Sequence, residues 1–312
     1  MSDVMTALER GGVLAVNKPC GMTSHDVVNI IRKIYGTKKV GHTGTLDPMA
    51  SGVLVILIGR AVKATEYISS ATKGYRATLR LGLTTDTEDA TGSILSESTE
   101  IPTADKVKIV CESFVGDIMQ VPPMYSALKV NGQKLVDLAR KGITVEREAR
   151  KITVYSLSHE TTAVASDHIL DVRCSGGTYI RTLCADIGKV LGCGGVMATL
   201  ERTEACGFPI DKAISLDALR EYPKEELCSL LVPVEELFAD LPVVRLSDFF
   251  EKLCRDGCEI YQVKIGTHHP VGARVRIYGK NGFFAVGEII SESDCKSPEL
   301  GSAVKAIKLF EL

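Results

Sequence analysis

The chain has no CxxC pair, no HExxH sequence and no apolar run long enough to cross a bilayer. Its longest apolar stretch, residues 53–58, is far short of the roughly 20 residues a membrane helix needs. The ten cysteines are scattered, and only Cys254 and Cys258 lie close together. That pattern fits a reducing cytoplasm and small core residues rather than disulfides or zinc. A basic-then-apolar leader is missing, since Asp3 and Glu9 occupy the N-terminus, so no signal peptide is expected. The expectation is a cytoplasmic protein with no structural metal and no membrane association.

A charge excess is also lacking. The net charge of −2 argues against a generic nucleic-acid binder, but the charges are segregated. Residues 29–80 hold nine Lys/Arg against two acids, a balance of +7; residues 81–120 stand at −6 and residues 121–151 at +4. Such segregation suggests a basic face that meets a polyanion, set against the plainer reading of solvated helix faces.

At 312 residues, 45% hydrophobic and 24% charged, the chain suits one large globular domain plus a small one. Residues 13–16 read as a buried strand. Thr23 or Ser24 then caps a helix carrying Val27, Ile30, Ile31 and Ile34, which Gly36 stops. Further strands are expected at 53–58, 75–81, 151–158 and 168–174, and helices at 60–69, 104–114, 134–140 and 179–191. Asn131-Gly132 marks a turn. Residues 211–240 read as acidic and helix-rich. Short strands follow at 243–246, 274–278, 283–289 and 303–309, with a hairpin turn at Lys280-Asn281-Gly282.

Two motif look-alikes fail on context. Gly36-Thr-Lys-Lys-Val-Gly-His-Thr43 has Walker A glycine spacing, but His42 replaces the lysine and a helix precedes it. Gly192-Cys-Gly-Gly-Val-Met-Ala198 approaches GxGxxA, with its alanine one place late, but also follows a helix.

The most informative stretch is Gly41-His-Thr-Gly-Thr-Leu-Asp-Pro-Met-Ala-Ser-Gly52. A Gly-rich loop bounded by a buried strand commonly presents a side chain, here Asp47. Taken alone, an Asp-Pro pair caps turns as readily. It is accompanied, in order, by Lys73-Gly-Tyr-Arg-Ala77, Thr84-Thr-Asp-Thr-Glu-Asp89, Pro122-Pro-Met-Tyr-Ser-Ala-Leu-Lys129 and Gly177-Thr-Tyr-Ile-Arg-Thr-Leu183.

This series, with Leu14-Ala-Val-Asn-Lys-Pro19 and Thr23-Ser-His-Asp-Val-Val28, resembles the TruB family of bacterial tRNA pseudouridine synthases. The resemblance runs to Leu200. It implies an α+β catalytic domain around a mixed, mainly antiparallel sheet over residues 1–240. A small β-rich PUA-like RNA-binding domain is implied over residues 241–312. It further implies isomerisation of uridine to pseudouridine at position 55, in the T loop of tRNA. The family's nucleophilic aspartate falls on Asp47, its substrate-contacting histidine on His42, and its stacking tyrosine, with a base role, on Tyr75. A second pocket tyrosine falls on Tyr179, the arginine paired with the carboxylate on Arg181, and a pocket leucine on Leu200. Val136 departs from a usual tyrosine and Glu201 from a usual arginine.

The chemistry agrees with those residue types. The reaction breaks the N1–C1′ bond, rotates the base and joins C5 to C1′. Nothing is oxidised and no group leaves, so neither cofactor nor metal is expected. An ionised carboxylate is needed at C1′ or C6, and a guanidinium can hold its pKa down by roughly 1–3 units. The base must be flipped out, and an aromatic face returns roughly 1–3 kcal/mol by stacking. Lys18 is expected to support the Asp47 loop or to contact RNA, and Arg76 and Lys129 to meet phosphates. The partner is tRNA, through its T stem-loop, with the enzyme a monomer needing no obligatory protein partner. The competing readings are a non-catalytic RNA-binding or RNA-folding protein on the same scaffold, and an aspartate glycosidase. The latter needs a second carboxylate, for which Asp86 and Asp89 are available.

Overall fold

The structure, a computed structural model, describes residues 11–68 and 72–310. The main sheet runs, edge to edge, through Ile214–Ser215, Gly12–Lys18, Ser51–Ile58, Gly195–Ala205, Lys73–Leu81, Asp167–Cys174, Arg150–Thr161 and Gly116–Gln120. Gly195–Ala205 is parallel to Ser51–Ile58, and Ile214–Ser215 is parallel to Gly12–Lys18; the other neighbours along this path are antiparallel. The sheet is mixed and mainly antiparallel, as expected.

Strand alternation builds two cores at one end. Leu54, Ile56 and Ile58 pack with Leu14, Val16 and the helix Ser24–Tyr35 through Val27, Val28 and Ile31. Val53, Val55 and Leu57 face the opposite way, onto Ala61 and Ala64. The helix begins at a reciprocal capping box between Thr23 and Asp26 and ends on Gly36 in the left-handed region, φ 64°. At the other end Tyr75, Ala77, Leu79 and Leu81 pack on the helix Ile180–Leu191 through Ile180, Leu183, Cys184 and Ile187. The second sheet, ordered Val243–Arg245, Arg274–Gly279, Gly282–Ile290, Ala303–Leu309 and Ile260–Tyr261, docks through Phe283 and Phe310. Their rings meet Phe238 at 6.2 and 5.6 Å.

Several expectations change. The 60–69 helix is a 3-10 helix over Gly59–Tyr67, and Ser69 lies outside the described residues. Pro223 and Pro233 divide 211–240 into one short α-helix, Leu216–Glu221, and 3-10 turns, because proline cannot donate an interior helical hydrogen bond. The Gly195–Ala205 strand and the Asp248–Arg255 helix were not anticipated. The basic face of Lys73–Leu81 is neutralised in place. Arg76 bonds Asp171 at 2.6 Å and Glu160 at 2.9 Å, and Arg80 grips Asp167 at 2.7 and 2.8 Å.

Gly52 permits one close backbone approach beside the site. Its φ is +102°, and a Cβ there would lie 2.3 Å from the Arg202 carbonyl oxygen. Gly52→Ala should therefore lower stability by at least about 2 kcal/mol, from combined backbone strain and overpacking. A urea midpoint unchanged from wild type would show that the two strands part without cost.

Candidate active site

The Asp47 loop is fastened mainly by groups that hold its backbone. Lys18, 0% exposed, donates from Nζ to the carbonyls of Met22 (2.6 Å), Pro19 (3.0 Å) and Pro48 (3.4 Å). Gly21 N–H donates to the same Pro48 carbonyl at 2.8 Å. Ser24 Oγ accepts from Leu46 N at 2.8 Å and donates to Leu46 O at 3.1 Å. Arg202, 1% exposed, donates to Val53 O at 2.7 Å and Gly44 O at 3.1 Å. Buried carbonyls left unpaired would each cost about 1–3 kcal/mol; here buried cations pair with them and fix the loop in one shape.

Asp47 reaches out of that loop to the buried guanidinium of Arg181. Nε lies 2.9 Å from Oδ2 and a terminal nitrogen 3.4 Å from Oδ1. The remaining donors are aimed by carbonyls, Tyr125 O at 2.8 Å and Thr87 O at 3.2 Å, and Asp89 stands 3.9 Å away. Asp89 is itself held by the Thr91 N–H and the Thr87 and Thr91 hydroxyls. Upstream, the buried Gln120 side chain pairs with both backbone groups of Tyr179, accepting at 2.9 Å and donating at 3.1 Å. The edge strand thereby fixes the start of the Arg181 helix. Burial pushes the Asp47 carboxyl above the ordinary aspartate value, and Arg181 only partly opposes it. Of the two opposing effects, burial outweighs the guanidinium.

These groups open into a cavity of about 410 Å³, within the size range of small-ligand sites. Asp47, Tyr75, Tyr179, Arg181 and Leu200 all line it, so five of the six residues assigned to chemistry or substrate converge. Burial raises the pKa of the Tyr75 phenol, while the positive charge of Arg202 opposes it. Val136, the departure from tyrosine, is also in the wall. His42 does not line the cavity. It sits half-buried, accepting from Gly44 N at Nδ1 (3.3 Å), with burial lowering its pKa. Lys18 is corrected as an RNA contact: its ammonium is enclosed under the loop. Arg76 is exposed but carries two carboxylate partners, and Lys129 is exposed on the Lys129–Val130 strand of a hairpin.

Sequence reasoning did not single out Lys73, Ser126 or Lys134, which line the cavity, or Arg202 beneath it. Lys73 stands two residues before Tyr75, so strand alternation could have placed it. Asp47 is the sole acidic residue of the lining. Asp86 and Asp89 are outside it, and Asp86 is spent on Ser93 N at 2.7 Å. A paired-carboxylate glycosidase is therefore disfavoured. Among the described residues no cluster of three potential ligands could hold a metal, and no helix is long and apolar enough to cross a membrane.

The cavity of this mixed sheet thus gathers a carboxylate–guanidinium pair, two tyrosines and a leucine. A model described as TruB family pseudouridylate synthase (N terminal domain) matches residues 32–180. One for the tRNA pseudouridylate synthase B C-terminal domain matches residues 181–239. The tRNA pseudouridine synthase B of Alkaliphilus oremlandii (strain OhILAs) is 43% identical, over 90% of this chain and 94% of that protein. That of Clostridium tetani (strain Massachusetts / E88) is 41% identical, over 90% and 96%. A crystal structure of a Cbf5-Nop10-Gar1 complex matches with a TM-score of 0.75 and 27% identity, over 99% of this chain and 87% of that one. The chain belongs to the TruB family of pseudouridylate synthases.

Because its folded pKa is raised, Asp47 holds a proton more tightly in the folded protein than in the unfolded chain. Its contribution to stability therefore falls as pH rises from the ordinary value near 3.8 to the folded one. Carboxyl NMR should show Asp47 titrating above 3.8. Arg181→Met should move that midpoint higher and Asp89→Asn should move it lower. Shifts of the same sign in both variants would refute the electrostatic assignment.

Proposed function

We propose that the chain converts uridine to pseudouridine in tRNA, at position 55 of the T loop, acting as a cytoplasmic monomer. The observation that carries this reading is the Asp47–Arg181 pair at 2.9 Å, set in a cavity open to a nucleotide. The target base is flipped from its stack, at a cost of a few kcal/mol, and stacks on Tyr75. Asp47 supplies the negative oxygen for the sugar–base junction. The N1–C1′ bond breaks, the uracil turns, and C5 bonds to C1′. The C5 proton leaves, with Tyr75 near it as acceptor, and N1 ends protonated. Atoms and charge balance without a cofactor.

Residues 1–240 would form the catalytic domain and 241–312 a PUA-like RNA-binding domain. His42, just outside the cavity, would contact the displaced loop, Tyr179 and Leu200 would bound the base, and exposed Lys129 and Arg76 would meet phosphates.

Asp47→Asn should abolish pseudouridine formation in a T stem-loop RNA while retaining RNA binding. Tyr75→Ala should weaken complex formation by about 5–150-fold, the equivalent of one lost stacking contact. Wild-type turnover by the Asn variant would remove Asp47 from the mechanism. An unmodified RNA after incubation with the wild type would favour a non-catalytic binding role.

A further inference from the structure

We propose that Lys73 is a phosphate-binding residue of the catalytic cavity, holding a backbone phosphate that flanks the everted uridine. The inference rests on the tRNA-modifying reading above. Lys73 opens the Lys73–Leu81 strand, and the two-residue period turns its side chain to the same face as Tyr75. Both line the cavity with Asp47. The lysine approaches a second cation there. A methyl group added to Gly44 would sit 3.5 Å from Lys73 Nζ and 3.7 Å from an Arg202 terminal nitrogen. Arg202 is bound by the carbonyls of Val53 and Gly44 and by the Tyr75 phenol. Neither Lys73 nor Arg202 has a carboxylate partner among the described residues, and the cation that Lys73 feels is Arg202. Nearby Arg76, Arg80 and Arg181, by contrast, each have at least one.

Two adjacent cations without a carboxylate partner repel each other and lose hydration, a cost that a bound negative charge relieves. In the everted nucleotide the base and ribose are neutral before bond cleavage. The phosphodiester is the permanent anion. A lysine ammonium on a flexible stem suits such a point-charge contact.

The test is a double-mutant cycle across the complex. Wild type and Lys73→Met are compared on a T stem-loop RNA and on RNAs with a single uncharged methylphosphonate, 5′ or 3′ of the target uridine. Lys73→Met should weaken Kd about tenfold and reduce the salt slope by about 0.7–0.9. One methylphosphonate should weaken wild type similarly and leave Lys73→Met nearly unaffected, while Lys73→Arg retains most affinity and guards against misfolding. Losses that multiply at both linkages would overturn the proposal. So would an unchanged Kd with slowed single-turnover chemistry, which would assign the charge to the detached base. Product from wild type on the unsubstituted RNA keeps the enzymatic reading intact whichever way the cycle falls.

Discussion

The site depends on one buried guanidinium. Arg181 is 6% exposed and lies in the first turn of the Ile180–Leu191 helix, where the helix dipole disfavours a cation. Taking such a charge out of water costs several kcal/mol even after relaxation. Its hydrogen bonds to Asp47, Tyr125 O and Thr87 O offset that cost, and each comes from a different part of the chain. Removing one partner of a buried pair typically costs about 3–5 kcal/mol. The Asp47 loop, the 85–91 turn, the Tyr125 segment and the helix start are therefore constrained by a single planar group. Arginine suits this position because its donors form a rigid fork and its charge persists at any physiological pH.

Asp47 is shaped by opposing pulls. Burial raises its pKa; Arg181 and Lys18 lower it, and Asp89 raises it. The loop's other buried cations bear on this balance through what they avoid. Lys18 and Arg202 are bound by backbone carbonyls, not carboxylates. A carboxylate partner would have placed a further negative charge beside Asp47 and pushed its pKa higher still. Carbonyl partners satisfy the donors while leaving the positive field intact, so one choice of partner both fixes the loop and favours the ionised form of Asp47.

Local signals carried well from sequence to structure. Thr23, Gly36 and the apolar period at Val27, Ile30 and Ile31 placed the first helix within a residue. The strand expected at 75–81 is found over Lys73–Leu81, two residues longer at its start. What could not be read was set by partners distant in sequence. Gly195–Ala205 contains Ala, Leu, Met and Glu, all good helix formers, yet it is a strand because two neighbouring strands offer it hydrogen bonds over most of its length. His42 shares the Gly-rich loop with Asp47, but the loop turns between them and only Asp47 enters the cavity. Lys18 was read as supporting the Asp47 loop or meeting RNA, and its enclosure, like that of Arg202, was not legible because the carbonyls that bury them become available only once the chain has folded.

The same nonlocality governs the charge pattern. The +7 balance of residues 29–80 suggested a broad basic face, but Arg76 and Arg80 spend their charge on Glu160, Asp167 and Asp171, nearly a hundred residues further on. Glu66 similarly pairs with Lys308. Exposed pairs of this kind contribute little to stability, yet they remove charge from long-range attraction. Cations that keep an unsatisfied field are then more consequential than their number suggests. Lys33, Lys38 and Lys39, just before the Asp47 loop in sequence, are exposed, and Lys73 and Lys134 line the cavity itself. A chain with net charge −2 can thus present positive potential at this cavity, because pairing cancels charge elsewhere and the low-dielectric cavity wall focuses what remains.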